Sequence, residues 1–352
     1  MKQLDLKKHV IALAALPETD SPVISAYFDL DGPRHERQAE LKAWAALARH
    51  SFRGDQLRDF DDALAEVMTA LDGAGPGRSL AVFCRWGDYP MVLPLPLAAP
   101  VETQFHAGSL PVIFPLVELK DRFHRFVLVV TTSESARIFE INLGEVSEAL
   151  LAERPGLRER LGREWTREHY QNHRRDRDEK FVKEKVAVIE RLMAKRGHNA
   201  LILAGEPRFV NRLRDQLPKH LAARVAGELR TGVHAGTIPE VVEESIAVFL
   251  GEEHRESHDA VRRLDSAVRS GGLAVVGFEA TLRAIEAHQA DQLILSTDLP
   301  APERERLVRL AAQQDLPIET VRDSSLLERN GGAGCLLRYL PAKPAAVLPL
   351  AG

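Results

Sequence analysis

The sequence predicts an α/β protein with an α+β N-terminal domain followed by two α/β layered domains. Amphipathic helical segments alternate with short β-branched runs along its 352 residues, a length that suits two or three domains. Charge is also unevenly distributed. Residues 1–125 hold 14 basic and 17 acidic side chains, residues 126–250 hold 21 and 19, and residues 251–352 hold 12 and 15.

The charge distribution predicts where the domains divide. We expect an N-terminal α+β domain over 1–122, a central α/β domain with a basic loop and a long helix over 123–250, and a C-terminal α/β/α sandwich over 251–352. The middle domain is then the basic one, between two acidic domains.

Composition excludes several classes of protein. Hydrophobic residues make up 45% of the chain, which is enough to bury cores, so disorder is excluded as the main state. Two cysteines, Cys84 and Cys335, are too few for a disulfide framework. No apolar run has the roughly 18–20 residues of a membrane helix, and the N-terminus predicts an amphipathic helix rather than a signal peptide. We therefore predict a cytoplasmic protein without membrane contact.

In the first third, residues 23–30 predict a strand because β-branched and aromatic side chains dominate there. Two helices are predicted over 34–52 and 55–72, and the second carries apolar side chains along one face. That face consists of Leu57, Phe60, Leu64, Val67, Met68 and Leu71. Further strands are predicted at 79–84, 91–97 and 111–119.

The second third predicts a hairpin of strands at 126–132 and 136–142, and a loop from about 150 to 165. A long helix is expected over about 166–196, because its apolar residues recur with helical spacing on one face. Those residues are Val182, Val186, Ile189 and Met193. The remaining predicted elements are a strand at 200–204, helices near 207–215 and 217–223, and a strand at 225–229.

In the last third, a long helix is predicted from Pro239, at the first helical position, to about residue 270, with a break at Gly251. Short strands and helices alternate after it, which predicts the sandwich. The strands are expected at 273–276, 292–296, 318–321 and 335–339, and the helices at 278–288, 302–314 and 324–329.

The segment 154–196 is the most basic part of the chain, with 14 basic and 8 acidic side chains. Arginine binds phosphate through two parallel hydrogen bonds, and Trp165 and Tyr170 offer surfaces for base stacking. A solvated helix with i,i+4 ion pairs such as Glu179–Lys183 explains the same composition. The basic side chains concerned are Arg158, Arg160, Arg163, Arg167, His169, His173, Arg174, Arg175, Arg177, Lys180, Lys183 and Lys185.

Other motifs predict structure rather than chemistry. The pairs His169/His173 and His254/His258 have the i,i+4 spacing of zinc ligands on a helix, but no matching third ligand is evident. We therefore predict polar surface histidines, no metal site and no cofactor. The glycines at 271, 272, 277, 331, 332 and 334 fit neither G-x-G-x-x-G nor a Walker motif, and they predict helix ends and turns.

The central third resembles the central domain of the archaeal and eukaryotic class-1 release factors and Pelota, and especially that of their bacterial relatives. The likeness rests on the order hairpin, basic loop, long Arg-rich helix and the strand Leu201-Ile-Leu-Ala-Gly205. As in bacterial relatives, a tryptophan, Trp165, ends the loop, and the run Arg167-Glu-His-Tyr-Gln-Asn-His-Arg174 follows it.

The last third resembles the last domain of the same family, whose fold is shared with kink-turn-binding ribosomal proteins. The residues that carry this likeness lie at 270–278, 289–295 and 331–339. The whole resemblance covers about 123–340.

The family's Gly-Gly-Gln loop is missing. The corresponding residues are Gly162, Arg163, Glu164 and Trp165, with one glycine and no glutamine. Release factors need a small, flexible backbone there to approach the peptidyl ester. The resemblance therefore implies a protein without peptidyl-tRNA hydrolysis and without catalytic residues in this loop.

The resemblance implies ribosome binding, in the manner of Pelota-like and Balon-like factors that act in ribosome hibernation or rescue by occupying the A site. The implied partner is ribosomal RNA, with a translational GTPase as a candidate protein partner for the acidic last domain. The predicted RNA-binding residues are Arg158, Arg160, Arg163, Arg167, His169, Tyr170, His173, Arg174, Arg175, Arg177 and Lys180.

Two other functions stay open at this point. One is a hydrolase, either a peptidyl-tRNA hydrolase or a nuclease, with a site in the central domain. The other is a stress-response adaptor that binds proteins and makes no RNA contact. Assays on peptidyl-tRNA and on RNA separate these readings from ribosome binding.

Overall fold

The computed structural model describes residues 6–75, 77–123, 125–132, 135–142, 145–153, 167–196, 198–231 and 238–339. For 145–153, 167–179 and 196 it describes the backbone only. Sheets and helices occur together along the described chain, which confirms the predicted mixed α/β class.

The N-terminal part contains an antiparallel sheet covered by helices. Its strands pair in the order β3-β2-β1-β4. Buried side chains from the sheet and from the long helix of this part, among them Ile24, Phe28, Phe60, Val67 and Val82, form the core. The elements are α1 (Leu6–Ala14), β1 (Val23–Asp29), α2 (Arg34–Arg49), α3 (Gly54–Asp72), β2 (Ser79–Arg85), β3 (Met91–Leu97), β4 (Gln104–Gly108) and α4 (Phe114–Arg122).

The central part contains a five-stranded sheet of order β7-β6-β5-β8-β9. The β7-β6-β5 portion is antiparallel, whereas β5, β8 and β9 are parallel. The elements are β5 (Phe126–Thr131), β6 (Ser135–Asn142), β7 (Glu145–Glu153), α5 (Arg167–Arg196), β8 (Ala200–Gly205), α6 (Pro207–Asp215), α7 (Lys219–Ala222) and β9 (Val225–Arg230). Separate apolar clusters lie on the two faces of this sheet.

The C-terminal part begins within a helix of 32 residues and contains a four-stranded sheet of order β10-β13-β11-β12. Only the β11–β12 pair in this sheet is parallel. The elements are α8 (Ile238–Arg269), β10 (Ala274–Val276), α9 (Phe278–Glu286), β11 (Ala290–Ser296), α10 (Ala301–Gln313), β12 (Ile318–Val321), α11 (Ser325–Arg329) and β13 (Ala333–Leu337).

The chain folds into two compact units. The first unit joins Met1–Arg122 with His254–Gly352, and the second unit is Phe123–Glu253. Both ends of the chain thus contribute to one unit. The division into three domains at 122 and 250 stays a prediction.

Polar contacts hold the two ends together within the first unit. The carboxylate of Glu305 on α10 accepts hydrogen bonds from the backbone N–H groups of Ile113 and Phe114, both at 2.9 Å, where α4 begins. Arg309 donates to the carbonyl oxygens of Leu13 and Ala14 at 3.3 and 3.2 Å, where α1 ends. Each contact satisfies backbone groups that a helix terminus leaves unpaired.

A buried contact joins the C-terminal end of α4 to strand β12. The Asp121 carboxylate accepts hydrogen bonds from the backbone N–H of Thr320 at 2.6 Å and from the Thr320 hydroxyl at 2.5 Å. Asp121 is 8% exposed and Thr320 is 7% exposed, so water competes little with these bonds. Arg322, just after β12, adds an ion pair to Glu118 on α4 at 2.6 Å.

Both cysteines are free and buried, on β2 and β13. Burial raises the pKa of the Cys84 and Cys335 thiols to about 12, so both remain protonated at neutral pH.

Three predicted elements were wrong. Residues 114–122 form helix α4 rather than part of a strand, and strand β4 was missed. Six of the nine α4 residues are buried, so apolar residues follow one another without the periodicity that marks a half-exposed helix. Residues 150–153, predicted as loop, belong to β7. Finally, α8 continues through Gly251 without a break.

Candidate nucleic-acid interface

Helix α5 carries most of the predicted RNA-binding residues and is anchored by its C-terminal half. Val182, Val186, Ile189 and Met193 are buried against Val127, Val129, Leu201 and Leu203 of the central sheet, with exposed fractions of 8% or less. The predicted helix and its apolar face are both confirmed. A packed end of this kind fixes the direction in which the rest of the helix extends.

The predicted site residues fall into three groups. Arg158, Arg160, Gly162, Arg163, Glu164 and Trp165 lie outside the described residues. Arg167, His169, Tyr170, His173, Arg174, Arg175 and Arg177 lie on the described backbone of α5, in its N-terminal half. Lys180 lies in the same helix with an exposed side chain. Their role in RNA binding stays a prediction.

Lys185 was wrongly grouped with the solvated basic side chains. It is 4% exposed, its Nζ donates a hydrogen bond to the Thr131 hydroxyl at 2.7 Å, and the same atom lies 4.1 Å from the centre of the Phe181 ring. Lys185 lies on the buried face of α5, because it comes three residues after Val182 and four before Ile189, and residues at these spacings share a helix face. Lys183, on the other face, is exposed.

A buried histidine–carboxylate pair fixes the chain where α5 has ended. His198 Nε2 lies 2.6 Å from Glu140 Oε1 on β6, and the two side chains are 0% and 2% exposed. Arg224 donates a hydrogen bond to the His198 carbonyl oxygen at 3.1 Å. Solvent does not reach this pair, so its role is structural. It links β6 to the segment that joins the C-terminal end of α5 to β8.

Sequence reasoning missed a second basic surface. Residues 206–224, which include α6 and α7, hold five basic and two acidic side chains. All five basic residues are exposed: Arg208, Arg212, Arg214, Lys219 and Arg224. Arg208 pairs with Glu206 at 3.1 Å, and Arg214 pairs with Glu228 at 2.8 Å. Counting the charges of residues 206–224 alone would have found this surface. Helix α6 packs on α5, so both helices belong to the same part of the molecule.

No helix among the described residues is both long and apolar enough to cross a membrane. The described residues also contain no group of three or more His, Cys, Asp or Glu side chains arranged to hold a metal ion.

The segment that contains α5 and the central sheet is similar to a described family. Residues 111–249 match the family described as bacterial archaeo-eukaryotic release factor family 10. The matched segment is 139 of the 352 residues, and it is this segment that is similar to a family of bacterial release-factor relatives. The match begins just before α4 and ends within α8, so it covers the candidate interface completely.

Solved structures of this release-factor group align along most of the chain. An archaeal translation termination factor, aRF1, is 15% identical, with 95% of this chain and 96% of that chain covered and a TM-score of 0.28. Pelota of Archaeoglobus fulgidus is also 15% identical, with 74% and 79% covered and a TM-score of 0.39.

Dom34 of S. cerevisiae, a translation termination-like factor involved in RNA quality control pathways and interacting with Hbs1, is 11% identical. The alignment covers 96% of this chain and 92% of Dom34, with a TM-score of 0.48. No curated protein sequence matches the chain. The similarity of this chain to the release-factor family therefore rests on the family match over residues 111–249.

Proposed function

We propose that the chain is a ribosome-binding, release-factor- and Pelota-like protein that occupies the A site in hibernation or rescue, without hydrolysing peptidyl-tRNA. Its site of action is then the cytoplasm, and ribosomal RNA is its main partner. A translational GTPase is a candidate partner for the acidic C-terminal part. The family match over residues 111–249 carries this proposal.

The anchoring of α5 and the arginines in its N-terminal half support an RNA-binding role. The C-terminal half of the helix is packed against the sheet. Residues 167–180, in the N-terminal half, hold five arginines and lysines among four acidic side chains. An anchored helix loses little conformational freedom when its arginines bind phosphates. The exposed arginines of α6, a helix that packs on α5, provide a second basic surface in the same unit.

Co-sedimentation with ribosomes tests this proposal. We expect the untagged chain to pellet with ribosomes from starved cells at low salt and to dissociate as salt rises, because phosphate contacts release counterions. The triple variant Arg174→Glu/Arg175→Glu/Arg177→Glu should lose most of the pelleted fraction. Failure of the parent chain to pellet at any salt concentration would contradict ribosome binding.

A charge-matched variant provides the control. Arg58, Arg262 and Arg269 are exposed and each pairs with an aspartate in the first unit. Arg58→Glu/Arg262→Glu/Arg269→Glu changes the net charge by the same amount as the α5 variant, and we expect it to retain binding. Equal loss in both variants would assign the effect to net charge rather than to α5.

Peptide release separates the proposal from the hydrolase alternative. We expect no release of peptide from peptidyl-tRNA on the ribosome, because Glu164 and Trp165 stand where the family has glycine and glutamine. Release that is abolished by Glu164→Ala would instead favour a hydrolase. Retention of ribosome binding by the α5 triple variant, together with RNA-independent binding of proteins, would favour an adaptor.

A further inference from the structure

We propose that His254 and His258 on α8 form a chelating site for one divalent transition-metal ion of the Zn²⁺, Ni²⁺ or Cu²⁺ class. The two Nε2 atoms lie 3.1 Å apart, and the ring centroids are 4.4 Å apart with an interplanar angle of 84°. The sequence gives only the i,i+4 spacing, whereas the structure turns the same nitrogen of each ring toward the other.

The separation of the two nitrogens fits a single ion. Imidazole nitrogen binds zinc at about 2.0–2.1 Å, so two such ligands 3.1 Å apart subtend an angle of about 100° at the metal. That angle lies between the ideal octahedral and tetrahedral values. Neutral imidazole suits Zn, Ni and Cu. Both rings would carry their proton on Nδ1 when the ion is bound, which leaves each Nε2 lone pair for the metal.

The site is open to solvent. His254 is exposed and His258 is partly exposed, so an ion reaches them without rearrangement of the core. Two protein ligands leave positions for water, in agreement with the lack of any three-ligand group among the described residues. The site therefore differs from a closed structural zinc site and should exchange its ion readily.

The location of the pair gives the ion a structural consequence. His254 is the first residue of the C-terminal segment of the first unit, immediately after the last residue of the second unit, and α8 runs through this junction. Gly251, a residue that weakens a helix relative to alanine, lies one turn earlier. An ion bridging residues i and i+4 would link the two ends of the turn that follows this glycine and oppose local opening of the helix there.

Calorimetric titration of the full-length, untagged chain with NiCl₂ and with ZnCl₂ tests the site. We expect one binding event per chain that is weakened at least about tenfold in both His254→Ala and His258→Ala, since loss of a ligand should cost no less than loss of an outer-shell partner. Binding that is unchanged in both variants would overturn the proposal.

The other i,i+4 histidine pair is the matched control. His169→Ala/His173→Ala removes the same number of imidazoles from α5 and should leave this binding event intact. Loss of the event only in that double variant would place the ion on α5 and overturn the assignment. As a second readout, hydrogen exchange of the amides at 250–262 should slow when ZnCl₂ is added to the parent chain and stay unchanged in His258→Ala. The proposal does not depend on ribosome binding.

Discussion

The ammonium group of Lys185 lies in the interior of the second unit, between the Thr131 hydroxyl and the face of the Phe181 ring. A hydrogen bond and a cation–π contact offset part of the cost of removing the charge from water. Replacing the lysine should therefore destabilise the fold, because its removal leaves the Thr131 hydroxyl without this donor and opens a void beside the Phe181 ring.

We expect Lys185→Ala to lower the free energy of unfolding by about 1–3 kcal/mol, measured by urea denaturation. Lys183→Ala changes an exposed side chain two residues away and should shift stability by no more than about 0.5 kcal/mol. Equal effects of the two substitutions would show that the burial of Lys185 contributes nothing.

At the scale of elements, the end of the parallel strand pair β5–β8 depends on a glycine. Gly205 pairs with Thr131 in the parallel register and has φ of +141°, a conformation that side chains rarely adopt. A Cβ at this position would overlap the backbone carbonyl oxygen of Thr131. The strand pair can therefore close only with glycine at position 205.

Gly205→Ala should destabilise the second unit by about 3 kcal/mol, from backbone strain and steric overlap. Gly251 is the matched comparison: it lies inside α8, and a Cβ there meets nothing within 4 Å. Gly251→Ala should therefore stabilise by about 1 kcal/mol. Thermal unfolding followed by circular dichroism measures both, and changes of the same sign would contradict this account.

The elements that sequence reasoning predicted well have one face buried and one exposed. Helix α5 is an example, because its apolar residues recur at helical spacing while charged residues fill the gaps. Helix α4 has no such contrast, since burial of Phe114, Leu116, Val117 and Leu119 removes the periodic signal. Gly251 led to the wrong prediction of a break. The free energy by which one glycine destabilises a helix is small compared with the stabilisation that packing gives a 32-residue helix.

The candidate interface was predictable in composition but not in exposure. Charge counting located the basic helix, yet it could not separate Lys185, which is buried, from Lys183, which is exposed. That distinction depends on which face of α5 packs on the sheet, and packing is a property of the assembled fold. The arginines of α6 were missed because their excess is spread over a short helix and its flanks.

At the scale of the whole molecule, the first unit is held together by Glu305, which binds the start of α4. Burial is the main influence on this carboxyl group and raises its pKa, although the two backbone N–H donors and Arg309 act in the opposite direction. A carboxyl group whose pKa is raised in the folded state costs stability as it ionises. Its contribution is therefore largest at low pH and is lost as pH rises through the folded-state pKa.

We expect the stability advantage of the parent chain over Glu305→Gln to be largest near about pH 4 and to decline toward neutral pH. Denaturant midpoints of both proteins across this range measure the difference, in which the titration of all other groups cancels. Glu303→Gln, on the same helix, should show no such trend. An advantage that grows with pH would contradict the sign of the pKa shift.

The contribution of both chain ends to one unit sets an order for folding during synthesis. The first 122 residues emerge with their own sheet. The C-terminal segment against which α1 and α4 pack begins only at residue 254. The second unit, contiguous in sequence, can complete its core earlier. Docking of Glu305 and Arg309 then comes after almost the entire polypeptide has been made. Nascent chains arrested before residue 300 should consequently display the N-terminal sheet with its docking surface still uncovered.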